Sequence, residues 1–145
     1  VDEREALATI MVNNHLYEVD RQGNVLRELQ PEQQHTGPLI TEIAELGSVE
    51  VGTQITAPAL HWALDVWCAF AKTEMAKSVT VSEICAADED RLAMYVDELR
   101  CEIRWSRSQF DKQARKLDIF WQNLEGHIPY TEYVDLRFAN DVACR

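Results

Sequence analysis

LRCEIRWS, residues 99–106, decides the fold class. Leu99, Cys101, Ile103 and Trp105 alternate with Arg100, Glu102, Arg104 and Ser106. A period of two is the signature of a β-strand with one face in a core and the other in water. Working outward, residues 79–86 and 91–96 read as two further strands, which makes a meander with a turn at Asp97 and Glu98. Asp88, Glu89 and Asp90 form an acidic loop between them. It lacks the Asp, Gly and Glu spacing of a calcium loop and reads as a solvated turn.

On the C-terminal side the period changes to that of a helix. Phe110, Ala114, Leu117, Phe120, Trp121 and Leu124 share one face, while Lys112, Arg115 and Lys116 hold the other. The Ser108 hydroxyl is placed to cap the amide of Asp111, and Gly126 suits a left-handed stop. On the N-terminal side a longer helix is expected from Thr56 to Lys77, with Pro58 in its first turn. Leu60, Ala63, Leu64, Trp67, Cys68, Ala71 and Met75 recur at helical spacing, and Trp62, Val66 and Phe70 widen the apolar face. Only His61, Asp65 and Lys72 form a polar stripe, so the helix should be covered on more than one side, with Trp62 and Trp67 in the core.

The first third reads as an apolar run over residues 6–12, then a hairpin within residues 16–29 that turns at Arg21 to Asn24. Gly23 and Asn24 tolerate the positive φ of such a turn. Residues 30–38, with Pro at both ends, form a loop, and a short helical turn runs through Leu39, Ile43 and Leu46. The end of the chain, YTEYVDLRFANDVACR (130–145), reads as a strand, a tight turn at Asn140 and Asp141, and a final strand. The order predicts an α+β domain: a mixed or antiparallel β-sheet with two main helices packed on it and a C-terminal β-hairpin forming a sheet edge.

Composition limits what such a domain does. A chain of 145 residues, 46% hydrophobic, suits one packed domain. The formal charge of −11 disfavours nucleic acid and anionic lipid as partners. The most apolar stretch, Trp62 to Ala71, contains Asp65 and is far shorter than the roughly 20 residues that span a bilayer. The opening at Val1 rather than Met is expected of a processed chain or a fragment. Four cysteines, Cys68, Cys85, Cys101 and Cys144, show neither C-x-x-C nor zinc spacing. Cys68 and Cys101 read as small buried hydrophobes, and a Cys85 to Cys101 bridge between neighbouring strands is left open for geometry to decide.

Catalytic chemistry has no purchase in this sequence. The five glycines are isolated, so no phosphate loop or dinucleotide fingerprint can be written. The four histidines fall in different elements, and none has a Cys or His three or four residues away. No catalytic, cofactor-binding or metal-ligating residue is assigned, no cofactor is expected, and an enzyme is disfavoured. A small-ligand domain near Trp62 or Trp105 stays open as a rival.

LYEVDRQGNVL (16–26), the Pro-Leu-Ile of 38–40, a long helix, a meander, a helix and YVDLRFAND (133–141) follow one another in a set order. In that order the chain resembles the extracytoplasmic β-domain of the FtsQ/DivIB bacterial cell-division family. The V-D-x-x-G-x-V of Val19, Asp20, Gly23 and Val25, and the Y-V-D-L-R-F of Tyr133 to Phe138, carry most of the likeness. The resemblance implies a β-domain over residues 9–145, with residues 1–8 as the exit from an upstream POTRA domain. It also implies a single-pass anchor in the cytoplasmic membrane before that, with this domain on the periplasmic side at the division septum and monomeric as a fragment.

The same likeness implies a non-catalytic divisome scaffold that binds the bitopic proteins FtsB and FtsL by adding an FtsB strand to the C-terminal edge. The positions this places at the partner are Arg137, Phe138, Asn140, Val142, Ala143, Cys144 and Arg145. The chain departs from the family in carrying Asp141 where a turn glycine is usual, and in lacking the aromatic that often follows the last strand. Edge strands present unpaired amides and carbonyls, so the implied mode is physically open to this hairpin. Arg137 is expected to offer a forked contact to a partner carboxylate, or else to pair with Asp135 or Glu132. Period two puts Val134, Leu136 and Phe138 on one face, so Phe138 reads equally as core. An unrelated periplasmic adaptor using the same edge is the second rival.

Overall fold

One row of apolar side chains runs across the middle of the molecule. Ile10, Ile40, Ile84, Met94, Ile103 and Val134 are register partners on six successive strands, and none is more than 1% exposed. The computed structural model in which this row is seen describes residues 5–88, 91–99, 101–124, 133–137 and 143–144. Its strands are β1 (Ala8–Val12), β2 (His15–Val19), β3 (Val25–Leu29), β4 (Leu39–Thr41), β5 (Val81–Asp88), β6 (Arg91–Val96), β7 (Cys101–Trp105), β8 (Tyr133–Asp135) and β9 (Ala143–Cys144). They form one sheet in the order β3-β2-β1-β4-β5-β6-β7-β8-β9. Parallel pairs at β1–β4, β4–β5 and β7–β8 make it mixed. Helices α1 (Pro58–Ala71) and α2 (Phe110–Asn123) supply Leu60, Ala63, Leu64, Phe70, Ala114 and Leu117 to the core that includes the row. This is the expected α+β architecture, with β9 at one edge.

The 99–106 pattern is read correctly: Leu99, Cys101, Ile103 and Trp105 are buried, whereas Glu102, Arg104 and Ser106 are half-exposed. Other expectations need correction. Residues 39–41 do not form a helical turn; they are the central strand β4, held between β1 and β5, where ladder bonds on both sides outweigh any local helical preference. The first long helix stops at Ala71 rather than Lys77. Thr73 donates its hydroxyl to the Phe70 carbonyl at 2.7 Å, and Asp118 of α2 accepts the amides of Glu74 and Met75 at 3.2 and 3.0 Å. That leaves Met75–Lys77 as a separate 3₁₀ turn.

The tryptophans Trp62 and Trp67 are half-buried at the border of the core, Trp67 lying against Phe70 with ring centroids 6.5 Å apart and Trp62 under the Arg107 guanidinium at 5.4 Å. Cys68 is half-buried as well. Ser108 does not cap α2. Gln109 opens it in the left-handed conformation, and Gln113, 3% exposed, reaches back to the amide of Ser106 and to the carbonyls of Ser106 and Ser108. The glutamine thus does what a cap does, from inside the helix. Cys85 and Cys101 are unbridged: β6 lies between their strands, and register places them on opposite faces of the sheet. Gly126 and the Asn140–Asp141 turn lie outside the described residues.

The β2–β3 turn follows the sequence in part. Gly23 takes φ +84°, but Asn24 stays out of the left-handed region. The Asp20 carboxylate instead accepts the amides of Gln22 and Asn24 at 3.0 and 2.8 Å. A tighter turn, with φ of 51° and 67° at Asn13 and Asn14, joins β1 to β2. Among the described residues no helix is long and apolar enough to cross a membrane.

The loop of residues 30–38 crosses the sheet on the side away from the helices and is fastened there. Glu18, 2% exposed, bonds Arg27 and accepts the Thr36 hydroxyl at 2.5 Å. Thr9 donates its hydroxyl to the Thr36 carbonyl at 2.9 Å and its amide to Pro38 at 3.2 Å. Burial raises the Glu18 pKa, but these hydrogen bonds and the Arg27 charge outweigh it and hold the carboxyl below its ordinary value. Gly37 lies so close to β1 that a Cβ there would meet the Leu7 carbonyl oxygen at 2.4 Å, and its φ of +65° disfavours any side chain. Gly37→Ala should therefore lower stability by about 2 to 4 kcal/mol, read from urea unfolding, while Gly47→Ala, whose Cβ would meet nothing within 4 Å, should cost less.

Candidate functional site

The residues that the resemblance implies for partner contact divide by what the structure describes. Arg137 is described in full, just beyond β8. Ala143 and Cys144 are described as the backbone of β9, paired antiparallel to β8 through Asp135↔Ala143 and Val134↔Cys144. Phe138, Asn140, Val142 and Arg145 lie outside the described residues. The structure therefore brings Arg137, Ala143 and Cys144 to one corner of the sheet. There β9 is the terminal strand of the order, hydrogen-bonded to β8.

That corner is built from both sides of the sheet. On the helix side Val134 and Leu136 are buried, at 1% and 0% exposure, as their spacing requires. The chain past β8 is then held by main-chain and side-chain bonds: the Leu136 amide donates to the Arg104 carbonyl at 2.9 Å, and Lys116 of α2 donates its Nζ to the Leu136 carbonyl at 2.7 Å. On the open side Asp135 is buried, and Arg137 donates Nε to its Oδ1 at 2.9 Å and Nη2 to its Oδ2 at 2.7 Å. The Arg137 backbone amide donates to the same Oδ1 at 3.0 Å. Beside this pair the Arg104 guanidinium lies over the Tyr133 ring at 3.7 Å, a cation–π contact, and hydrogen-bonds Glu102 at 3.0 Å.

Asp135 is charged in this setting. Burial pushes its carboxyl up, but the hydrogen bonds from Arg137 and the charges of Arg137 and Arg104 outweigh that and hold its pKa below the ordinary 3.8. Of the two arrangements open to Arg137 from sequence, pairing with Asp135 is the one formed. Sequence reasoning assigned no role to Asp135, Lys116 or Gln113. The D-x-R spacing signals the first, because period two puts positions 135 and 137 on one side. Nothing local signals Lys116, which meets Leu136 only because α2 packs beside β8.

Charge is distributed so that this end differs from the rest. Residues 1–99 carry 6 basic and 18 acidic side chains, a balance of −12, and residues 100–145 carry 8 and 7, a balance of +1. An open groove of about 200 Å³ beside the β8 exit is lined by Ser106, Ser108, Lys112, Gln113, Lys116 and Arg137. The field near the edge is thus set locally and is not that of the whole acidic chain. Among the described residues no three His, Cys, Asp or Glu side chains converge to hold a metal ion.

The family model for "Cell division protein FtsQ/DivIB, C-terminal" matches residues 8–137, which is most of the chain and ends at Arg137. No curated protein matches the chain.

Because the native Asp135 pKa is depressed, its ionised form contributes stability that is present above the ordinary carboxylate pKa and lost as pH falls through the native value. Asp135→Asn should therefore be clearly less stable than the native chain in urea at pH 7, and the gap between the two should narrow steadily as the pH falls below about 4.

Proposed function

The chain belongs to the FtsQ/DivIB C-terminal family of cell-division proteins, and from that premise we propose that it is a non-catalytic scaffold of the division machinery. In this reading it recruits FtsB, and FtsL with it, by taking up an extended FtsB segment as a tenth strand beside β9. The domain works outside the cytoplasmic membrane, held there by an anchor upstream of Val1. The observation that carries the reading is the position of β9: a two-residue strand that ends the sheet and pairs with β8.

The physical case is that of strand addition in general. Main-chain hydrogen bonds from the incoming segment supply affinity without demanding particular side chains, and side chains flanking the edge supply choice. The local balance of +1 over residues 100–145 suits an acidic segment, which the −12 of the remainder would turn away from other surfaces. Arg137, Phe138, Asn140, Val142, Ala143, Cys144 and Arg145 remain the positions proposed for the contact. The alternative of a small-ligand site gains little: Trp105 is wholly buried, and Trp62 packs under Arg107.

A synthetic peptide from the cognate extracytoplasmic FtsB segment, titrated against the folded chain by calorimetry, should bind with micromolar or tighter affinity. Deleting residues 139–145 should weaken binding by about a hundredfold or more, roughly 2.7 kcal/mol. Absence of binding by the intact folded chain would overturn the reading. Equal binding by the truncated chain would overturn the placement at this edge.

A further inference from the structure

The exit of β8 is pinned more firmly than the strand itself. Three consecutive residues are tied there by side chains or backbone: Asp135 to Arg137, Leu136 to the Arg104 carbonyl and to Lys116, and Arg137 back to Asp135 by its amide, Nε and Nη2. β8 has three residues and β9 two, with two register pairs between them. Two pairs are a weak specification of register, because the side-chain row on one face is too short to select it. Asp135 is itself one of those pairs, opposite Ala143. Its carboxylate therefore stands at the point where the chain leaves the sheet and at the point where it returns.

We propose that Asp135 is the positioning residue of this edge, holding Arg137 so that the chain leaves β8 in the one direction that brings β9 back into register. Arg137 is then the clamp on the hairpin and not the arm that receives a partner carboxylate. The proposal rests on the reading of β9 as the docking edge. The geometry supports it through the asymmetry of the pair, since the Asp135 side chain is 4% exposed and the Arg137 side chain 32%. To turn its fork to a second carboxylate, Arg137 would have to leave a buried charge without its partner, which is costly. Fork-on-carboxylate pairing also fixes orientation as well as distance, and orientation is what a two-residue strand lacks. The charged groups adjoining the pair on the open face are Arg104 and Glu102, and they are engaged with Tyr133 and with each other.

The two roles for Arg137 predict opposite consequences of touching Asp135. If Asp135 positions the edge, Asp135→Asn and Arg137→Gln should each speed amide exchange at Ala143 and Cys144 by about tenfold or more, with Leu64 of α1 as protected as in the native chain. Both variants should weaken binding of the FtsB-segment peptide to a similar degree, and the double variant should be no weaker than either single one. Arg137→Lys, which keeps the charge and loses the fork, should share the exchange defect.

The proposal is overturned if Asp135→Asn leaves exchange at β9 unchanged, if Arg137→Lys restores protection, or if Asp135→Asn binds the peptide as well as the native chain while Arg137→Gln does not. Should the native chain bind no peptide, the docking reading falls. The exchange of Ala143 and Cys144 still decides whether Asp135 sets the hairpin.

Discussion

The apolar row from Ile10 to Val134 is the constraint on which the rest of the domain depends. It places one fully buried side chain at the same height on six strands, three of them joined in sequence and three reached by crossovers. A shift of any strand by one residue would exchange its row member for a polar neighbour such as Glu83, Tyr95 or Glu102 and push that neighbour under the helices. The cost of burying a carboxylate there makes the register close to all-or-none. From that fixed register follows the position of Arg104, then of Asp135 opposite it, and then of Ala143 beyond.

Toward the C-terminal edge the means of specification changes. The central strands are placed by burial, which is strong but indifferent to direction. The last hairpin has too little apolar surface for that, and polar contacts take over: a buried carboxylate with its arginine, a lysine on a carbonyl, and a guanidinium on a ring. Such contacts are weaker in sum but fix angles. An edge that must stay open to another chain cannot be secured by covering it, so directional bonds behind it are the means that remain.

Much of this was legible in the sequence, and the failures share a cause. The meander was readable because Leu99, Cys101, Ile103 and Trp105 see one local environment each, core or water, and period two reports it. Helix α2 was readable for the same reason. Residues 39–41 were not, because what makes them a strand is their two neighbours, one from residues 8–12 and one from residues 81–88. The early end of α1 was hidden likewise, since Asp118 lies far along the chain from the amides it accepts. At the candidate site the edge itself and the residue Arg137 were legible. The partner that holds it was visible only as one of two carboxylates within reach, and Lys116 not at all.

The strand β4 divides the sheet in a way that bears on how it comes apart. On one side stand β1, β2 and β3, joined by short turns, and on the other β5, β6 and β7, joined likewise. Each trio is a local unit whose loops close cheaply, whereas β4 joins the two through three residues and five register pairs in all. In backbone terms the sheet is two meanders with a narrow seam between them, and the seam lies far from the C-terminal edge. Opening there would leave the unit that carries β7, β8 and β9 with its own ladder intact, so the end of the molecule that meets a partner is insulated from fluctuations at the end that leads back toward Val1.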